Sequence, residues 1–125
     1  MIDAEETRRT FKTAWFTKAA RKARIKDADL CEAIQEVMKG QADDLGGGVF
    51  KKRLNENLHR SIILAKGGRS WIYEYLFAKR DRANIEDDEL KDFRTLAKSY
   101  VMLNDEQVAK LLAGKDLTEI CHGEK

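Results

Sequence analysis

The chain has 125 residues, enough for one hydrophobic core and too few for two. Hydrophobic residues make up 42% and charged residues 37%, so the chain can fold, and the absence of proline excludes a Pro-rich linker protein. No apolar run approaches the ~18 residues of a bilayer span, the glycines show no collagen-like period, and MIDAEETRRT lacks the apolar stretch of a secretory signal.

The net charge of +2 conceals a polarity. Residues 1–82 carry 18 basic and 12 acidic side chains, a net +6, whereas 83–125 carry 6 and 10, a net −4. A basic body with an acidic tail points to an anionic partner for the first part, although surface charge also segregates by chance. Cys31 and Cys121 form no CxxC motif and join no His/Cys cluster at ligand spacing. A disulfide framework and a metal site are therefore not expected. Cys31 reads as a small core hydrophobe and Cys121 as a free thiol, in a reducing cytoplasm. The expected organisation is a flexible extension over 1–10, a single domain over 11–120 and a flexible tail over 121–125.

In chain order, Phe11–Phe16 is aromatic and β-branched, which predicts a first strand. Ala19–Arg24 reads as a short basic helix. Asp27 can cap the next helix, where Leu30, Cys31, Ile34, Val37 and Met38 recur at helical spacing before Gly40. Asp43–Gly48 is a glycine-rich loop. It lacks the GxxxxGK[ST] pattern and leads into a strand, so a flexible turn is expected rather than a phosphate cradle.

Three strands follow, Val49–Leu54, Arg60–Lys66 and Arg69–Lys79, with Gly67-Gly68 as the hairpin turn between the last two. Alternation places Trp71, Tyr73, Tyr75 and Phe77 on one face of the third strand. The opposite face is also largely apolar, so this strand is expected to be central and covered by helices. After Arg82, Asn84 can cap a helix whose first turn holds four acids, Glu86–Glu89, with Leu90, Phe93, Leu96, Ala97, Tyr100 and Val101 as its apolar stripe. Asn104 and Gln107 open a last helix as a capping box, and Gly114 ends it. The predicted fold is α+β, with a twisted antiparallel sheet of about four strands packed against N- and C-terminal helices.

The cations carry the functional signal. Lys51 and Arg53 share one face of their strand, Arg60 opens the next, and Lys79, Arg80 and Arg82 close the third. Hairpin pairing brings Arg60 and the Lys79–Arg82 cluster to one edge. Such a cluster binds a phosphodiester and stabilises the extra negative charge of a pentacoordinate transition state. Tyr73 or Tyr75 can stack on a base or donate a proton. Strand ends also carry Lys and Arg simply for solubility and against edge aggregation, and alternating aromatics also suit a buried sheet face.

The string FAKRDRANIEDDEL (Phe77–Leu90) resembles the strand-to-helix signature of RelE/HigB-like toxins of bacterial type II toxin–antitoxin modules. LGGGVFKKR (Leu45–Arg53) and FKTAWFTKAARKA (Phe11–Ala23) support the resemblance, which covers about Phe11 to Ile120. It implies a RelE-like fold and an mRNA endoribonuclease, commonly acting at the ribosomal A site. Neither metal nor cofactor is needed, because the RNA 2′-hydroxyl attacks the adjacent phosphate and leaves a cyclic phosphate. It implies a cognate antitoxin, often a helix-turn-helix protein, and no membrane partner.

By the same resemblance, Lys51 and Arg53 would bind phosphate and support proton transfer. Arg60 would brace the scissile phosphate, and Lys79 and Arg80 would close the site, with the arginine stabilising the transition state. Lys52, His59, Tyr75 and Arg82 are expected to contact substrate. The loop before Arg60 is shorter than usual in the family, and Glu86 stands where related nucleases carry a catalytic Tyr or His. The general base therefore stays open, with His59 as a candidate. A ParE-like gyrase poison and an inactive RNA- or antitoxin-binding module remain as alternatives.

Overall fold

The computed structural model describes residues 8–67 and 70–121. In chain order these form β1 (Arg9–Thr13), α1 (Ala14–Lys22), α2 (Asp27–Met38), β2 (Asp43–Asp44), β3 (Val49–Leu54) and β4 (His59–Lys66). They continue with β5 (Ser70–Ala78), α3 (Asp87–Val101), α4 (Asp105–Ala113) and β6 (Leu117–Ile120). The fold is α+β, with one six-stranded sheet in the order β2-β3-β4-β5-β1-β6. All neighbours are antiparallel except β1 and β5, which run parallel.

The sheet has two strands more than expected. β2 forms within the glycine-rich loop, and β6 forms in the segment after Gly114, where four residues paired to β1 carry too short a pattern to stand out. The first strand also differs from expectation. It begins at Arg9 and stops at Thr13, because the Thr13 hydroxyl accepts the Phe16 N–H at 3.0 Å and caps α1. Ala14, Trp15 and Phe16 are therefore helical. Of the expected flexible extension, Arg9 and Thr10 lie in β1, and residues 1–7 fall outside the described residues. Gly67 has the positive φ expected at the hairpin turn, +71°, while Gly68 lies outside the described residues.

The helices sandwich the sheet. Phe16 and Ala20 of α1 and Leu30, Ala33, Ile34 and Val37 of α2 pack with Ile63, Trp71, Tyr73 and Leu76 on one face. On the other, Ala97 and the half-buried Leu90, Phe93 and Leu96 of α3 pack with Val49, Ile62, Leu64 and Phe77. Val108 of α4 joins Phe11, Ile72 and Leu117 beside them. β5 is central and covered on both faces, as its composition predicts.

The four aromatics of β5 do not share a face. The pairing of Ile62 with Tyr75 but Ile63 with Tyr73 leaves Glu74 as an extra residue, a β-bulge. Trp71 and Tyr73 face α1 and α2, whereas Tyr75 and Phe77 face α3.

The cysteines also differ from expectation. Cys31 on α2 and Cys121 just after β6 are joined in a disulfide, with Cα atoms 5.5 Å apart. They are 90 residues apart in sequence, so spacing could not reveal that β6 returns to α2. Cys121 is thus not a free thiol.

The three glycines Gly46–Gly48 all have positive φ. Arg94 of α3 lies across them, donating to Leu45 O and Gly46 O, and a Cβ on Gly47 would come within 2.7 Å of its Cγ. The glycines here admit an arginine side chain.

Candidate functional site

The registers of β3, β4 and β5 set out the cations in rows. Lys51 stands opposite Ile62, which stands opposite Tyr75. One row further, Arg53 stands opposite Arg60, and Arg60 opposite Phe77. Alternation from Val49, Ile62 and Leu64 puts Lys51, Arg53 and Arg60 on the α3 face, at the end where α3 begins. The backbone beyond β5 continues the pairing, since Lys79 N–H donates to Leu58 O at 2.9 Å.

Arg53 and Arg60 are thus like charges directly opposite one another, an arrangement that destabilises a sheet. Among the described residues no carboxylate forms an ion pair with either. The Arg60 guanidinium is instead held by carbonyls, donating through Nη1 to Asn57 O at 3.1 Å and His59 O at 3.2 Å. Asn57 belongs to a turn in which Asn55, Glu56 and Asn57 all take positive φ. Lys51 Nζ donates to Asn84 Oδ1 at 3.2 Å and lies 3.9 Å from Asp43. Lys79 and Arg80 are exposed, the Arg80 side chain at 91%, with Asp81 at 4.0 Å.

Three expected contact residues sit differently. Lys52 points to the opposite face, where Nζ pairs with Glu36 at 2.7 Å and donates to Gln41 O at 3.0 Å, tying β3 to α2. Arg82 is occupied: it forms a two-pronged ion pair with Glu89, donates to the Tyr75 hydroxyl at 3.3 Å and lies 5.5 Å over the Phe77 ring. The Glu89 bond raises the Arg82 pKa, and the same bond lowers that of Glu89. His59 follows the alternation to the face opposite Arg60. It lines a cavity of about 480 Å³ with Leu58, Ala78, Lys79 and Arg80. Burial lowers the His59 pKa, and the charge of Arg80 lowers it further.

The site therefore has two compartments at one end of the β4–β5 hairpin. One is a cationic sheet face edged by Tyr75 and Phe77, and the other a cleft holding His59, Lys79 and Arg80. Tyr75 is braced by Phe93 at 5.9 Å and Phe77 at 6.0 Å, and stacks on Trp15 at 4.9 Å. Trp15 escaped the sequence reading, because its place beside Tyr75 depends on where β1 ends. Chemically the cationic face can hold an anion, while His59 lies on the opposite face of β4 beside Lys79 and Arg80, with its Nδ1 3.2 Å from Asn55 Nδ2. Among the described residues, no group of three His, Cys, Asp or Glu side chains converges as a metal site would require.

Residues 8–120 match the family described as RelE toxin of the RelE / RelB toxin-antitoxin system. This match, over nearly the whole α+β domain, makes the protein a toxin-antitoxin component by class. The chain belongs to the RelE toxin family, and its partner is a cognate antitoxin. No curated protein and no solved structure matches the chain.

Proposed function

We propose that this toxin is a metal-independent endoribonuclease that cuts mRNA on the ribosome and so arrests translation and growth. The observation that carries the proposal is the Arg53–Arg60 opposition. Two arginines opposite one another in register, with no ion pair to a carboxylate among the described residues, cost stability that a bound anion relieves, and a phosphodiester carries the charge to do so.

In the proposed reaction the 2′-oxygen attacks the adjacent phosphorus and the bond from phosphorus to the 5′-oxygen breaks. The products are a 2′,3′-cyclic phosphate and a 5′-hydroxyl. The 2′ proton goes to a base, and a proton is returned to the departing 5′-oxygen. Lys51 and Arg53 bind phosphate, Arg60 braces the scissile group, and Lys79 and Arg80 neutralise charge that develops in the transition state. His59 is the candidate base. Tyr75 contacts substrate, and Arg82 acts through Tyr75 and Phe77 as a positioning residue. Lys52, engaged with α2, is left outside the site. Residues 11–120, extended by Arg9 and Thr10, form one toxin domain acting in the cytoplasm beside a helix-turn-helix antitoxin.

The test is expression with and without the antitoxin, followed by mapping of mRNA 5′ ends. Cuts within coding regions are expected, and Arg60→Ala or Arg80→Ala should each reduce cleavage by about 10²–10³-fold without lowering the thermal unfolding temperature. Full toxicity in the Arg60→Ala, Arg80→Ala double variant would dismiss this site. A DNA-damage response with intact mRNA would indicate gyrase poisoning instead.

A further inference from the structure

Trp15 is 51% exposed although indole is among the most apolar groups a protein can present to water. It is nevertheless held in place. One ring face stacks on Tyr75 at 4.9 Å, with 24° between the planes. Tyr75 is fixed in turn by the Arg82–Glu89 pair and by Phe93. Stacking covers one side of the indole and leaves the remainder open.

Exposed lysines follow it along α1. Trp15, Lys18 and Lys22 fall at helical spacing on one face of α1, and all three are exposed. On the other side, Tyr75 stands in the same row as Lys51 and next to the Arg53–Arg60–Phe77 row. Neighbouring strands lie about 4.8 Å apart, so β5 is only ~10 Å from β3. A rigid aromatic surface thus continues a cationic track on both sides, the combination that binds single-stranded nucleic acid through phosphates and stacked bases.

We infer that Trp15, backed by Tyr75, is a base-stacking subsite that holds an unpaired RNA base next to the phosphate-binding arginines. This rests on the nuclease reading of the cationic face. It adds a substrate-binding residue on α1 that tolerates any base, since every base has a π-face.

The test uses the full chain and a single-stranded 2′-O-methyl RNA, which lacks the attacking hydroxyl, together with an abasic oligonucleotide of equal length. In a Trp71→Phe background Trp15 is the sole tryptophan, and RNA should quench its fluorescence. Trp15→Ala should weaken RNA binding roughly 5- to 150-fold, whereas Trp15→Phe should stay within about threefold because the ring is kept. The abasic strand should bind native protein and Trp15→Ala alike.

Equal RNA binding by Trp15→Ala and native protein would overturn the inference while leaving the nuclease reading intact. An equal loss on the abasic strand would overturn it as a folding effect. Loss of antitoxin binding alone would overturn it in favour of a protein contact. If native protein bound neither strand and cut no mRNA, both readings would fall.

Discussion

Glu74 is the extra residue of the β5 bulge, and its half-buried carboxyl is the most perturbed acid among the described residues. Burial pushes its pKa up to about 7 from 4.5, against a weak bond from the Tyr100 hydroxyl at 3.4 Å. The folded state therefore prefers the neutral acid. That preference stabilises the fold fully below pH 4.5 and is lost as pH rises through about 7. Glu74→Gln should match the native protein near pH 4.5 and exceed its stability at pH 8 by about 1–2 kcal/mol after solvent screening. Urea unfolding at the two pH values measures this, and an equal difference at both would show that the carboxyl is not responsible. His59 shifts the other way. Its pKa lies below 6.5, so the imidazole stays neutral, and able to accept a proton, at lower pH than an ordinary histidine. If it is the base, the acid limb of single-turnover cleavage of ribosome-bound mRNA should have its midpoint below that of an ordinary histidine. His59→Gln should remove that limb, and an unchanged profile would move the role elsewhere. Arg80→Ala should raise the pKa of His59 by removing a neighbouring positive charge.

Elements are ended and aimed by single residues. Thr13 halts β1 and starts α1, which is what places Trp15 beside Tyr75. Thr13→Ala should cost about 1 kcal/mol, and Thr13→Ser much less, because serine keeps the accepting oxygen. Chemical denaturation of both variants checks it, and equal losses would shift the cause from the cap to the buried methyl. The bulge acts on a longer element. Side chains alternate with period two, so one inserted residue sends everything after it to the other face. Alternation alone therefore grouped Trp71 and Tyr73 with Tyr75 and Phe77, and the bulge divides them between core and site. The shared face of Lys51 and Arg53, by contrast, was legible from alternation because β3 is regular. The capping box of Asn104 and Gln107 was legible for the same local reason: Gln107 N–H donates to Asn104 Oδ1 at 2.8 Å, and Asn104 N–H donates to Gln107 Oε1 at 2.9 Å.

Over the whole molecule, the Cys31–Cys121 bond closes a loop across 90 residues and joins the segment just after β6 to α2. Cross-linking so long a loop restricts the unfolded chain and is worth about 2–5 kcal/mol. Under oxidising conditions Cys31→Ser should lower stability by that amount, and adding dithiothreitol to the native protein should erase the difference. Thermal melts with and without reductant measure it, and a variant no weaker than oxidised native protein would show that the bond forms without stabilising. Under reducing conditions the two sulfurs would stand as neighbouring thiols.

The α+β class, the apolar stripe of α2, the bounds of β3, the cap of α4 and the cations that belong to β3 and β4 were all legible in the sequence, because these rest on periodicity and contacts a few residues apart; the start of α2 was not, since Lys26 rather than Asp27 is its N-cap. Sequence motifs also carried the resemblance to RelE toxins, and the family match over residues 8–120 agrees with it. Only the pairing of distant segments placed Arg53 opposite Arg60, tied Lys52 to Glu36, spent Arg82 on Glu89 and Tyr75, and brought Cys31 to Cys121. Each of these depends on register, on one bulge or on residues far apart in the chain. A net charge near zero becomes a concentrated cationic end only once the sheet has paired.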